Sequence, residues 1–159
     1  MTDAILDAAE LGREMMRRTP QSAALGFEYV AAPEPDVGAM KAPFRDDLVG
    51  DPVGQVIAGG VITTLLDHTC GLAISLALRA QEAPGAEAAA RMGAMATLDF
   101  RIDYMRPARP RSDVIGRAHC YRITRSVAFV RAVAFEDDPA DPIATAQAAF
   151  AINRAGAGA

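Results

Sequence analysis

Cysteine is scarce. The chain has two, Cys70 and Cys120, too few for a disulfide framework and without the spacing of a zinc motif. Both read as small buried hydrophobes. Of the two histidines, His119 falls within a strand-like segment with no second ligand in view, so no metal is expected. An excess of positive charge is missing as well: the formal net charge is -4 and the pI about 5.1, which gives no reason to expect nucleic acid as a partner. No apolar signal core opens the chain, so a cytoplasmic protein is expected. No low-complexity tract marks a second domain, and 51% hydrophobic residues over 159 fit one globular domain with a real core.

The stretch from Ala58 to Arg79, AGGVITTLLDHTCGLAISLALR, organises the rest. Its leucines, isoleucines and valine lie around every side of a helical projection, which predicts a helix buried all round. About 20 residues would also match a membrane span, but Asp67 and His68 sit in mid-segment and the strands that follow need something to wrap. The stretch is therefore read as a central core helix, with no membrane partner. A carboxylate among leucines is costly unless hydrogen-bonded or put to use, which makes Asp67 the first functional clue. His68 projects about 100° away around the helix, so the two form no simple dyad.

Ile5 to Arg18 has apolar residues at helical spacing and ends on Thr19-Pro20. Residues 1–20 thus read as an N-terminal helix, 21–154 as the domain and 155–159 as a frayed Gly/Ala tail. Leu25 to Ala32 and Val37 to Phe44 are short strand candidates about the turn Pro33-Glu-Pro-Asp36, and Arg45 to Ile57 is an ordered loop feeding the helix. Ala80 to Met92 is a flexible connector. From Ala94 to Tyr104 the period becomes two, with Ala94, Ala96, Leu98, Phe100, Ile102 and Tyr104 alternating with Met95, Thr97, Asp99, Arg101 and Asp103. Asp113 to Thr124, Val127 to Glu136 and Ile143 to Asn153 are three more strands. The short connections imply an antiparallel meander of four. The expected fold is α+β, a curved antiparallel sheet wrapped around one long central helix. Its open edge suggests pairing across a two-fold axis.

Two motifs carry a resemblance. Gly54, Ala58-Gly59-Gly60 and Leu65-Leu66-Asp67 are similar to a G…HGG…LxD pattern, and Thr97 to Pro107 resembles T-x-D-x-x-I-x-Y-x-R-P. These are patterns of hotdog-fold thioesterases of the phenylacetate-degradation (PaaI-like) branch, and with the element order the likeness runs from Leu25 to Asn153. The resemblance implies hydrolysis of an acyl-CoA thioester, without a cofactor, by a homodimer or a dimer of dimers whose sites lie at the subunit interface. On this likeness Asp67 falls at the family's general base or nucleophile, and Gly59 and Gly60 at the pair whose N–H groups polarise the thioester carbonyl. Thr97 falls at a hydroxyl position supplied by the other subunit. The chain departs from the pattern at Ala58, where the family has histidine, and the family's loop asparagine has only Asp51 or Gln55 nearby.

The chemistry is sound apart from the likeness. Thioester hydrolysis needs an activated water and a place for negative charge, and a helix opening on two glycines offers free N–H groups and a positive dipole. Asp67 lies about 10 Å further along the axis. Thr63 and Thr64, one turn before Asp67, would either orient its carboxylate or bond back to the backbone. Arg106, Arg109 and Arg111 cluster after the Tyr104 strand, and Arg122 and Arg125 flank the next turn; they suit the phosphates of CoA or form a solvated strand end. By themselves the glycines fit close packing equally well, Asp67 a satisfied core acid, and Thr97 an ordinary strand residue. Two rivals keep the fold but change the activity: a hotdog enoyl-thioester hydratase or dehydratase, and a non-catalytic acyl-CoA-binding module.

Overall fold

The computed structural model describes residues 8–32, 34, 36–81 and 95–152. Helix α1 (Ala8–Arg18) ends before Thr19-Pro20 as expected, but the chain at once begins a second helix, α2 (Pro20–Leu25). Proline at a first helical position forfeits no hydrogen bond and has the right φ, so the residue that stops one helix starts the next. Gly26 closes α2, and the strand expected over Leu25 to Ala32 shrinks to β1 (Glu28–Tyr29). It pairs antiparallel with β2 (Val37–Ala42), Glu28 opposite Lys41. The segment read as a loop from Arg45 to Ile57 contains a 3-10 turn (Asp46–Leu48) and a small hairpin, β3 (Val49–Asp51) with β4 (Val56–Ile57).

Helix α3 (Gly59–Ala80) follows, and most of the connector expected after it lies outside the described residues. Strands β5 (Met95–Tyr104), β6 (Val114–Ile123), β7 (Val127–Phe135) and β8 (Ala144–Ile152) stand where the alternation placed them. The six-stranded sheet is antiparallel in the order β1-β2-β6-β7-β8-β5. This corrects the four-strand meander: β6, β7 and β8 are sequential neighbours, but β5 pairs with β8 and forms an edge. Residues 105–113, with Pro107 and Pro110, make a long crossing rather than a hairpin, so adjacency of β5 and β6 is not enforced. The crossing is held at its start by Met105 N–H donating to the Ile143 carbonyl at 2.8 Å.

Leu65, Leu66, Leu72 and Ile74 of α3 are fully buried, each contributing about 2 kcal/mol of burial. The approach is close because two strand positions lack side chains. A Cβ on Gly38 would stand 2.8 Å from the Ala73 nitrogen, and one on Gly116 2.8 Å from Thr69 Oγ1. By length and composition α3 would pass for a membrane span, yet 61% of its most apolar stretch is buried inside the chain. It is the core helix of the sheet.

Candidate active site

One face of α3 remains open in its first half. Gly59 and Gly60 are exposed, and Thr63, Thr64 and Asp67 are half-buried. Gly60, Thr63 or Thr64, and Asp67 recur every three or four residues, so they share one side of the helix. The helix is therefore not buried all round, and Asp67 is less costly than its leucine neighbours suggested. Its carboxylate is also partnered: Thr97 Oγ1 donates to Asp67 Oδ1 at 2.9 Å.

That contact depends on an irregularity in β5. Strict alternation would put Thr97 on the side of Asp99, Arg101 and Asp103, away from the helix. Between Thr97 and Asp99 the pairing with β8 slips: Thr97 lies opposite Phe150, Asp99 opposite Ala149, and Leu98 has no partner of its own. This is a β-bulge, and the extra residue resets the alternation. Thr97 now shares the inner face with Phe100, Ile102 and Tyr104, while Leu98 is 60% exposed. The threonine belongs to the same chain as the aspartate it touches.

At the helix entrance, the Ala58 carbonyl accepts from Val61 N–H at 3.0 Å and Ile62 N–H at 3.2 Å. The N–H groups of Gly59 and Gly60 precede these and have no intrahelical acceptor. A Cβ on Gly60 would meet nothing within 4 Å, so the space beside its α-carbon is open. A cavity of about 340 Å³ adjoins Gly59, walled by Val56, Ile57, Ile62, Met105, Pro107 and Ile143. Ala58 itself packs beneath the hairpin, where a Cβ on Gly50 would come within 2.7 Å of the Ala58 Cα.

Thr63 and Thr64 donate back to the Gly59 and Gly60 carbonyls at 3.1 and 3.0 Å, the second of the two readings they allowed. Arg106 grips the buried Glu136 with both terminal nitrogens, at 3.2 and 2.6 Å, and reaches Asp141. Arg109 pairs with Asp137, and Arg111 stacks on Phe44 at 4.7 Å while bonding Asp46 and Gln55. These arginines already have carboxylate partners in the chain, and sequence reasoning could not place the acids beside them. Arg125 stands exposed in the β6–β7 turn and, among the described residues, pairs with no carboxylate. No cluster able to hold a metal occurs among the described residues.

His68 turns away from Asp67, as its position on the helix required. Its Nδ1 lies 2.6 Å from Ser22 Oγ of α2, and its ring meets Phe27 edge-on. Burial lowers its proton affinity despite the adjacent Asp67 charge. A base whose folded pKa is depressed favours the unfolded chain once the solution is acid enough to protonate it there. Stability from this site is full above the ordinary histidine value near 6.5 and falls as pH drops below it. We expect the melting temperature to decline from pH 7 to 5 with a slope that flattens in His68→Gln, measured by thermal denaturation; equal slopes would refute the buried neutral state.

The wrapped helix, the sheet order and the Asp67–Thr97 pair beside an open helix N-terminus define a class, and comparison with known proteins agrees with it. The sequence profile of the thioesterase superfamily matches residues 54–143, and the chain belongs to that superfamily, with the hotdog fold of its PaaI-like members. Among relatives, the medium/long-chain acyl-CoA thioesterase YigI of Escherichia coli is 30% identical over 101 residues, 62% of this chain and 64% of that protein. A solved protein of Pseudomonas aeruginosa is 36% identical with a TM-score of 0.75, over 92% of this chain and 99% of the other. The phenylacetic acid degradation protein PaaI of Thermus thermophilus shares the fold at 22% identity, with a TM-score of 0.65 over 84% and 99% of the two chains.

Proposed function

We propose that this chain is a cytoplasmic acyl-CoA thioesterase working as a two-fold dimer. The observation that carries the reading is the Thr97-oriented carboxylate of Asp67 on the open face of α3. Asp67 takes a proton from water as the water attacks the thioester carbonyl carbon, or attacks that carbon itself. Negative charge gathers on the carbonyl oxygen, and the amides of Gly59 and Gly60 are suited to receive it. Collapse of the tetrahedral adduct breaks the C–S bond. In the general-base route the proton held by Asp67 passes to the departing CoA sulfur and the free acid leaves. In the nucleophilic route the acyl anhydride formed on Asp67 is then cleaved by water, which restores the carboxylate and releases the free acid.

Within one chain Gly60 and Asp67 are seven residues apart on the helix, about 10 Å along its axis. This is too far for both to act on one carbonyl. Two chains joined along β5 would bring the glycine pair of one toward the aspartate of the other. The edge supports this: β5 is ten residues long, and Leu98, Tyr104 and Met105 are exposed beside it at 60, 48 and 63%. The apolar cavity beside Gly59 and the name of the YigI relative favour an acyl chain of apolar character. A second reading, a non-catalytic acyl-CoA-binding module, draws on Ala58, which carries no side chain able to act where the family has histidine.

The test is thiol release from short, medium, long and aromatic acyl-CoAs, together with solution mass by light scattering. Turnover by a dimer or larger even assembly supports the proposal. Silence across the panel with acyl-CoA binding intact would favour the second reading, and a turning-over monomer would sink the shared site.

A further inference from the structure

Tyr104 is the last residue of β5, and its ring crosses the first turn of α3. Its hydroxyl lies 2.5 Å from the Gly59 carbonyl oxygen and 2.8 Å from Thr63 Oγ1, which is itself 3.1 Å from that carbonyl. A tyrosine here could be a mere tether between edge strand and helix. The identity of the acceptor argues for more. The Gly59 carbonyl and the Gly60 N–H belong to one amide, and a donor on the oxygen of an amide draws electron density from its nitrogen through the partial double bond. Chains of hydrogen bonds polarise one another in this way. The far end of this unit is the Gly60 N–H, which has no intrahelical acceptor.

We propose that Tyr104 is a positioning residue that fixes the Gly59–Gly60 peptide plane and strengthens the Gly60 N–H as a donor to the developing oxyanion. The inference rests on the reading of the glycine pair as the oxyanion site. It adds the source of that site's strength: a relay running from the Tyr104 hydroxyl, with Thr63 as a second donor, through the peptide to the substrate oxygen. Gly59 suits the arrangement because a Cβ there would press on the Tyr104 hydroxyl at 3.2 Å.

The experiment is Tyr104→Phe, which keeps the ring and removes the donor, with two readouts. The first needs no turnover: in a ¹H–¹⁵N correlation spectrum the Gly60 amide proton should move upfield while Gly59, whose amide carbonyl is that of Ala58, stays. The second is kinetic. On the acyl-CoA the enzyme hydrolyses best, kcat should fall about tenfold with KM within about twofold, a smaller loss than the 10²–10³ typical of deleting an oxyanion donor. Thr63→Val should shift both readouts in the same direction by less, and it carries the test if Tyr104→Phe fails to fold. An unmoved Gly60 resonance, or an unchanged kcat in an active enzyme, overturns the relay. Absence of turnover in the wild type would count against the thioesterase reading alone, since the spectrum still decides the polarisation.

Discussion

Asp67→Asn is expected to lose about 10²–10⁴-fold in kcat, the range general base catalysis supplies, with melting temperature and assembly unchanged. Asparagine keeps the shape and can still accept the Thr97 hydrogen bond through Oδ1, so the packing of β5 on α3 survives. What it cannot do is take a proton from water or attack a thioester. Thiol release under saturating acyl-CoA measures the effect, and turnover within about tenfold of wild type would move the base elsewhere. A complementation experiment locates the partner groups. Gly60→Val should be tolerated by the fold, because the Cβ position is open, while its branches cover the amide. Each variant alone should be nearly inactive. Co-assembled, they leave one site with an intact Gly60 from one chain and an intact Asp67 from the other, and activity should return. No recovery in verified mixed dimers would show that the groups do not act across the interface.

Arg106→Ala should be strongly destabilising. The Glu136 side chain is only 3% exposed, and Arg106 is 27%. Burial pushes the Glu136 pKa up, but the Arg106 fork and the Arg109 N–H, 2.7 Å away, more than offset this and hold it below the ordinary carboxylate value. Alanine would strand a buried carboxylate, at a cost of about 2–4 kcal/mol. In a chain of this size that lowers the melting temperature by about 5–15 °C. A depressed carboxylate adds stability above its unfolded pKa, near 4.5, and loses it as pH falls through the folded value. The gap between wild type and variant should therefore be widest at neutral pH and narrow toward pH 4. Replacing Arg106 and Glu136 together by leucine should recover most of the loss. A deficit under about 1 kcal/mol in urea denaturation would refute the account.

Much of this fold was legible in the sequence for definite reasons. The start of α3 is marked by Gly59-Gly60, and the long strands alternate because one face packs on the helix. The crucial exception was also in plain sight but unreadable. Nothing in Thr97-Leu98-Asp99 announces a bulge, since the slip comes from pairing with β8 on a distant part of the chain. Alternation alone put Thr97 on the outer face; only the motif likeness made it a site residue. The order of β5 escaped for a related reason, because residues 105–113 are long enough to reach either edge. Arg106 and Arg109 show a gap of another kind: the cluster of cations was visible, while the acids that partner them lay 27 to 35 residues later in sequence. Asp67 itself stands in a different setting from the one its neighbours suggested, as a half-buried acid with a hydroxyl donor rather than a charge sealed among leucines.

The sheet ends differently on its two sides. One margin is β5, with ten residues; the other is β1, with two. Strand addition at β5 is self-complementary under a two-fold, and once two chains have joined there each long margin is consumed. The margins left over are too short to template another chain. Growth by sheet extension therefore stops at a pair, so the exposed apolar margin that the proposed catalysis requires need not seed fibres at high protein concentration.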